Sequence, residues 1–268
     1  MNDSLKKAAI LPFQLIESLG IPCGYERSFK LQKNQILANR YLLGIETRHV
    51  KAPQWQPIFQ RLNMPENFIA DFKAGLADAN TVLLGFEAQA NDSAVFKLYL
   101  EYWDQLQARQ QKTPDNDTPH QLHLGFKWQY DAPHHQQITH YHCLPGLSTD
   151  DMKNKISDQY SNLAQAASLN SSLSILNMAI ERQPQANYLY IKVSEEGNKR
   201  QSFDLNLYPA GLSISDIIPA ITQAATGLNA DPIQFERLIA AVRDKDFGHI
   251  SAGTGRNGQE YFTVYYEN

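Results

Sequence analysis

The sequence predicts an α+β fold, a ten-stranded antiparallel β-barrel surrounded by a ring of α-helices, built from five hairpin-plus-helix repeats. Three observations carry the prediction. Alternating stretches holding many of the 13 tyrosines and 12 phenylalanines come in pairs across turn residues. Between the pairs lie segments whose apolar residues recur at three- and four-residue steps, the helical period. The strands also divide into an apolar face and a face of charged and tyrosine side chains, and an open sheet would leave that second face in water to no purpose. Closing the sheet removes its edges. Ten strands exceed the roughly eight at which side chains just fill a barrel, so the charged face would line a roomy lumen and the helices would cover the apolar outside.

Taken in order, residues 1–20 (MNDSLKKAAILPFQLIESLG) read as an amphipathic helix; polar residues interrupt its apolar patch and no small-residue cleavage segment follows, so it is not read as a signal peptide. The first strand pair is 25–32 and 36–46, across Lys33-Asn34. The second is 81–88 and 94–103, across Asn91-Asp92-Ser93, and the third 121–130 and 137–143, across Asp131-Ala132-Pro133. The fourth is 187–194 and 201–208, across Glu196-Gly197-Asn198; the fifth is 246–252 and 260–266, across Gly255 to Gly258. Helices are expected over 55–76, 103–112, 148–168, 213–226 and 231–243. Ser148 before Asp150-Asp151 reads as an N-cap with an acidic first turn, and Asp231-Pro232 as an N-cap followed by a first-turn proline. The polar, proline-bearing segment 107–121 resembles a linker but lies between consecutive repeats, so residues 1–268 are expected to form a single domain.

Composition sets bounds on function. The length suffices for a core without disulfides or a structural metal, and Cys23 and Cys143 have no ligand-like spacing, which fits packed thiols in a reducing, cytoplasmic compartment. A formal charge of -4 argues against a nucleic-acid partner, and no apolar run is long enough for a membrane span. The glycines of 252–258 (AGTGRNG) join two strands and start no helix, so they read as a hairpin loop, not a dinucleotide fingerprint. His140 and His142 share a strand face, but they would hold a metal only with a third ligand such as His123 or Cys143, and they are expected at the barrel rim.

The inward face carries the chemistry. Strand alternation puts Arg40, Lys97, Lys127 and Lys192 on it, one from each of four hairpins, and convergent cations in a cavity fit a multiply charged anion such as a diphosphate. Alternatively each pairs with a neighbour such as Glu87 or Asp204, or is out of register and exposed. Tyr99, Tyr190, Tyr208 and Tyr265 on the same face fit an aromatic box that shields a carbocation from water, or else are interior tyrosines with bonded hydroxyls. Glu101 and Asp204 also point inward; they either neutralise lumen lysines or grip a cationic acceptor such as a guanidinium.

Lys97-Leu98-Tyr99, an inward lysine two residues before a tyrosine within five ββα-type repeats, resembles the ABBA prenyltransferases, whose ten-stranded PT barrels carry lysine, arginine and tyrosine inside. The segment ERSFKLQKNQILANRYLLGIE (Glu26 to Glu46), followed by TVLLGFEAQANDSAVFKLYLE, is similar to the start of the cyanobactin-type peptide prenyltransferases, enzymes that modify ribosomal natural products. The resemblance implies that dimethylallyl or a longer prenyl diphosphate loses pyrophosphate and that an electron-rich side chain of a peptide, often macrocyclic, attacks the cation. It implies Glu26 as catalytic base, Arg40 and Lys97 as diphosphate ligands and the tyrosines as shield. Family members often have a further basic residue where this chain has Glu101. No DDxxD-like pair is present; magnesium is allowed as a companion of the diphosphate, but the sequence supplies no ligands for it. The acceptor is an arginine guanidinium or an aromatic side chain. The alternatives are a small aromatic molecule as acceptor, and a non-catalytic barrel that binds a peptide or small anion.

Overall fold

Ten strands and eight helices form among the residues that the computed structural model describes, 2–112, 118–161, 163 and 166–267. Helix α1 (Asp3–Leu19) leads into β1 (Gly24–Gln32) and β2 (Gln35–Glu46), followed by α2 (Trp55–Arg61) and α3 (Glu66–Leu76). Then come β3 (Thr81–Ala88), β4 (Ala94–Glu101), α4 (Trp103–Lys112), β5 (His120–Gln129), β6 (Gln136–Leu144), α5 (Thr149–Asp158) and α6 (Ala167–Arg182). The chain ends with β7 (Leu189–Glu195), β8 (Gln201–Asn206), α7 (Ile214–Gly227), α8 (Pro232–Val242), β9 (Phe247–Thr254) and β10 (Glu260–Glu267). The strands close into an antiparallel barrel in the order β1-β10-β9-β8-β7-β6-β5-β4-β3-β2. Of the linker-like segment 107–121, residues 113–117 lie outside the described residues, and those up to Lys112 belong to α4.

Four of the five expected turns work by left-handed backbone. Asn34 (φ 61°) and Asp92 (φ 60°) turn the first two hairpins, and Gly197 (φ 74°) and Gly258 (φ 72°) the last two, residue types that tolerate this region. The caps are those the sequence indicates. Ser148 Oγ accepts from the Asp151 N–H at 3.1 Å, and Asp231 Oδ1 accepts from the Gln234 N–H at 2.7 Å. Three helical expectations change. The helix expected over 148–168 ends, as α5, at Asp158. The span 55–76 is broken into α2 and α3 at Asn63 (φ 52°), just before Pro65. Helix α6, absent from the sequence reading beyond residue 168, was hidden because Ser168, Ser171 and Ser172 occupy buried positions where the periodicity rule looks for apolar residues. Ser171 and Ser172 return their hydroxyls to the carbonyls of Ala167 and Ser168, at 3.1 and 2.6 Å.

The chain divides into two compact units, each with its own core. The first comprises residues 1–26, 39–114 and 121–141. There Leu43, Leu84, Phe96, Leu98 and Phe126 of the strands pack on Leu15, Trp55, Phe59 and Phe72 of α1, α2 and α3. Polar ties fix the layers: Tyr41 donates its hydroxyl hydrogen to the Ala9 carbonyl (2.6 Å), and Trp128 donates its indole hydrogen to the Leu62 carbonyl (2.9 Å). The second unit comprises 27–38, 115–120 and 142–268. Its core joins Phe203, Leu205, Ile250, Phe262 and Val264 to Ile175, Leu176, Ile217 and Ile221 of α6 and α7. Burying one such phenylalanine is worth about 1.5–3 kcal/mol, so the apolar strand faces are committed to the helices. The opposite faces are left for chemistry.

Cys143 is buried and Cys23 is exposed, so only one of the two thiols packs as expected. Burial pushes the Cys143 thiol up to about 12. Among the described residues no helix is long and apolar enough to cross a membrane.

Candidate functional site

In the first unit the strand pairing sets the inward residues in rungs. Arg40 of β2 stands opposite Glu87 of β3, and Leu42 stands opposite Gly85. Between β4 and β5 the rungs are Lys97 with Lys127, Tyr99 with Gly125, and Glu101 with His123. All share the face turned from the helices, because the intervening Phe96, Leu98, Leu100 and Phe126 are core residues. Two like charges directly opposite one another are unfavourable in a sheet unless negative charge is brought to them, and both lysines are at most 9% exposed.

Glu87 supplies negative charge to this group. Its Oε2 takes Arg40 Nη2 at 3.2 Å and the Lys97 ammonium, while Oε1 accepts from Gln89 at 2.6 Å. Lys127 donates to the Tyr141 hydroxyl at 3.2 Å and lies 5.9 Å and 5.6 Å from the ring centres of Tyr99 and Tyr141, within cation–π range. The two tyrosine rings meet edge to face at 5.7 Å. Gly125 makes room for them, since a Cβ there would come 2.8 Å from two carbons of the Tyr99 ring. Next along β4, Glu101 Oε2 lies 3.1 Å from His123 Nε2. Burial pushes the Glu101 carboxyl up, but the hydrogen bond and charge of His123 and a hydrogen bond from Thr81 outweigh it and hold the group below the usual carboxylate range.

Of the sequence-predicted residues, this unit brings Arg40, Lys97, Lys127, Tyr99 and Glu101 onto one face. Glu26 is half-buried on β1, at the parity opposite to the core residues Phe29 and Leu31. In the second unit Asp204 is buried and bonds His249 Nδ1 at 2.7 Å; the His249 ring stacks on Tyr265 at 3.9 Å and lies 6.1 Å from Tyr208. Tyr208 lies beyond the end of β8, in the turn Tyr208–Ala210, and is 37% exposed. Each of the two acidic candidates thus pairs with a histidine, Glu101 with His123 and Asp204 with His249.

Tyr190 and Lys192 require correction. Tyr190 is a core residue stacked on Phe203, and Lys192, two positions on, shares its face and is exposed. Strand β7 presents the face opposite to the one its alternation predicts. Tyr188 shows why: its hydroxyl donates to the carbonyls of Ala179 (2.7 Å) and Gln183 (3.0 Å) at the end of α6, so a tyrosine serves the helix side well. Leu189, Ile191 and Val193 consequently turn the other way and stay out of the helix-side core.

Sequence reasoning missed several polar residues. Tyr141 goes unmarked and His123 enters only as a third ligand for His140 and His142, although alternation places Tyr141 opposite in parity to Ile138, which packs on the helix-side core. In the second unit, buried Glu195 accepts from Arg200 at 2.7 Å and from Arg256 at 2.5 and 3.0 Å; Arg200 continues to Ser202 (2.8 Å) and Tyr261 (3.0 Å). That network ties the β7–β8 hairpin to the β9–β10 loop. Loop arginines carry no strand alternation, so the sequence offered no signal for it.

No protein-family model matches the chain, and no curated protein matches it. Solved structures do. The complex of PriB with product diphosphate superposes over 100% of this chain and 91% of its own, with a TM-score of 0.65 at 11% identity. The chain has the ABBA prenyltransferase fold. The 6-dimethylallyltryptophan synthase from Micromonospora olivasterospora, in complex with DMASPP and tryptophan, covers 98% of this chain and 94% of its own (TM-score 0.59, 11% identity). The 5-dimethylallyltryptophan synthase from Streptomyces coelicolor covers 91% and 81% (TM-score 0.57, 10% identity).

Among the described residues no three His, Cys, Asp or Glu side chains come together to hold a metal. At the lysine rung the donor set is three cations and a carboxylate that Arg40 and Lys97 share, which does not fit magnesium.

Proposed function

We propose that this protein transfers a prenyl group, dimethylallyl in the simplest case, from its diphosphate to an electron-rich side chain of a peptide. The observation that carries the reading is the convergence of Arg40, Lys97 and Lys127 on one inward face beside the rings of Tyr99 and Tyr141. The allylic C–O bond breaks and its electron pair leaves with pyrophosphate, whose charge the three cations hold. The allyl cation faces the tyrosine π systems, which stabilise it and exclude water. The acceptor then bonds to the prenyl carbon and gives up a proton, for which the family resemblance nominates Glu26. Tyr99 remains in the proposed shield, with Tyr141 added and Tyr190 removed. Arg40, Lys97 and Lys127 supply the charge neutralisation in this reading.

The peptide acceptor rests on the likeness of the segment from Glu26 to Glu46 to peptide prenyltransferases, whereas one of the solved structures named above is a complex with tryptophan. One assay tests both the reaction and the acceptor. Dimethylallyl diphosphate is incubated with the protein and matched peptides that differ only in presenting Arg, Tyr, Trp or His, and separately with free L-tryptophan; pyrophosphate and product mass are followed. Peptide-dependent pyrophosphate release with a prenylated peptide is expected. Product from free L-tryptophan alone would replace the peptide with a small aromatic acceptor, and diphosphate binding without release or product would make the protein a binding barrel.

A further inference from the structure

Three rungs on β4 and β5 differ in chemistry: two lysines, then a tyrosine over a glycine, then a carboxylate bonded to an imidazole. Strand rise places the third rung about 13 Å along β4 from the first, with Tyr99 between them. An anion held at the lysines gains nothing from the third rung. That rung is nonetheless built with care. Glu101 and His123 are 25% and 17% exposed, Thr81 bonds the same carboxylate, and the His123 ring stands at 90° to Tyr141, 5.7 Å away. A carboxylate on Nε2 makes that nitrogen the N–H donor, which leaves the lone pair on Nδ1.

We propose that His123, oriented by Glu101, is a catalytic proton acceptor at the acceptor end of this face. The proposal rests on the prenyl-transfer reading. As the allylic C–O bond breaks toward pyrophosphate and the acceptor's nucleophilic atom bonds to the prenyl carbon, the proton lost by the acceptor passes to His123 Nδ1. Glu101 then balances the imidazolium through Nε2–H, as a buried carboxylate does for a catalytic histidine. Glu101 is the positioning residue. Neither an oxidant nor a metal is needed, and the imidazolium returns its proton to water after product leaves.

The experiment uses the panel peptide that the wild type modifies, with dimethylallyl thiolodiphosphate as the binding probe. His123→Gln lowers kcat about 10²- to 10⁴-fold, the usual worth of a general base, while probe affinity stays within about threefold. Glu101→Gln lowers kcat less and leaves KM for the diphosphate unchanged. Imidazole added to His123→Ala restores part of the lost rate, which a merely structural histidine would not allow. The proposal falls if His123→Gln keeps kcat within about threefold, as it would if Glu26 alone took the proton, or if it loses probe binding along with turnover. A wild type that prenylates nothing overturns the prenyl-transfer reading and this inference together; a wild type that prenylates while His123→Gln keeps pace overturns this inference alone.

Discussion

Glu87 holds two buried cations, Arg40 and Lys97, on a single oxygen. In the proposed reaction an incoming diphosphate would compete with that carboxylate for the same donors, so Glu87 would stabilise the empty face and weaken the loaded one. Removing one partner of a buried pair leaves uncompensated charge. Glu87→Gln is therefore expected to lower unfolding free energy by about 3–5 kcal/mol. Pyrophosphate should restore more stability to this variant than it adds to the wild type, by mass action on a tighter site. Chemical denaturation with and without pyrophosphate measures both quantities; equal pyrophosphate effects in the two proteins would argue against the cage. At this scale the sequence was legible where a residue sits in a strand with clear alternation. Arg40, Lys97, Tyr99, Lys127 and Glu101 occupy the inward positions that period-two counting assigns. His123 has the same clear parity, but its role depends on which residue stands across the ladder, and cross-strand register is not written in a single strand.

Strand β7 shows how an element can defeat this method. Tyrosine is apolar enough for a core and polar enough for a lumen, so Tyr188 and Tyr190 give no signal of their own. The apolar Leu189, Ile191 and Val193 then appear to name the helix side, whereas the structure buries them on the other face. Lys192 follows the tyrosines and emerges exposed. Lys192→Gln is accordingly expected to leave thiolodiphosphate affinity unchanged within about twofold, since surface substitutions away from special features cost little. A loss comparable to that of a lumen lysine, measured by calorimetry, would contradict the orientation of β7. Helix α6 was unreadable for a related reason: its serines satisfy their own hydroxyls by bonding back to the helix, and so enter a core that the apolar pattern does not mark.

For the whole molecule, five hairpins of two-faced strands with intervening helices were enough to predict a closed barrel, and four of the five turn on left-handed residues. Each hairpin's register is fixed locally, and closure follows from leaving no edge. The candidate site was legible to the extent that a polar inward face can be counted. The network of Glu195 with Arg200 and Arg256 was not, because it is built by loop residues that no periodicity announces. The proposed function requires the cations on the first unit's inward face to hold an allylic diphosphate. Titration of dimethylallyl thiolodiphosphate into the wild type, Arg40→Ala and Lys97→Ala tests it most directly. Saturable wild-type binding is expected, with a loss of about tenfold to a hundredfold in each variant, from charge-assisted bonds of about 1.5–3 kcal/mol. No binding by the wild type, or unchanged affinity in both variants, would contradict it.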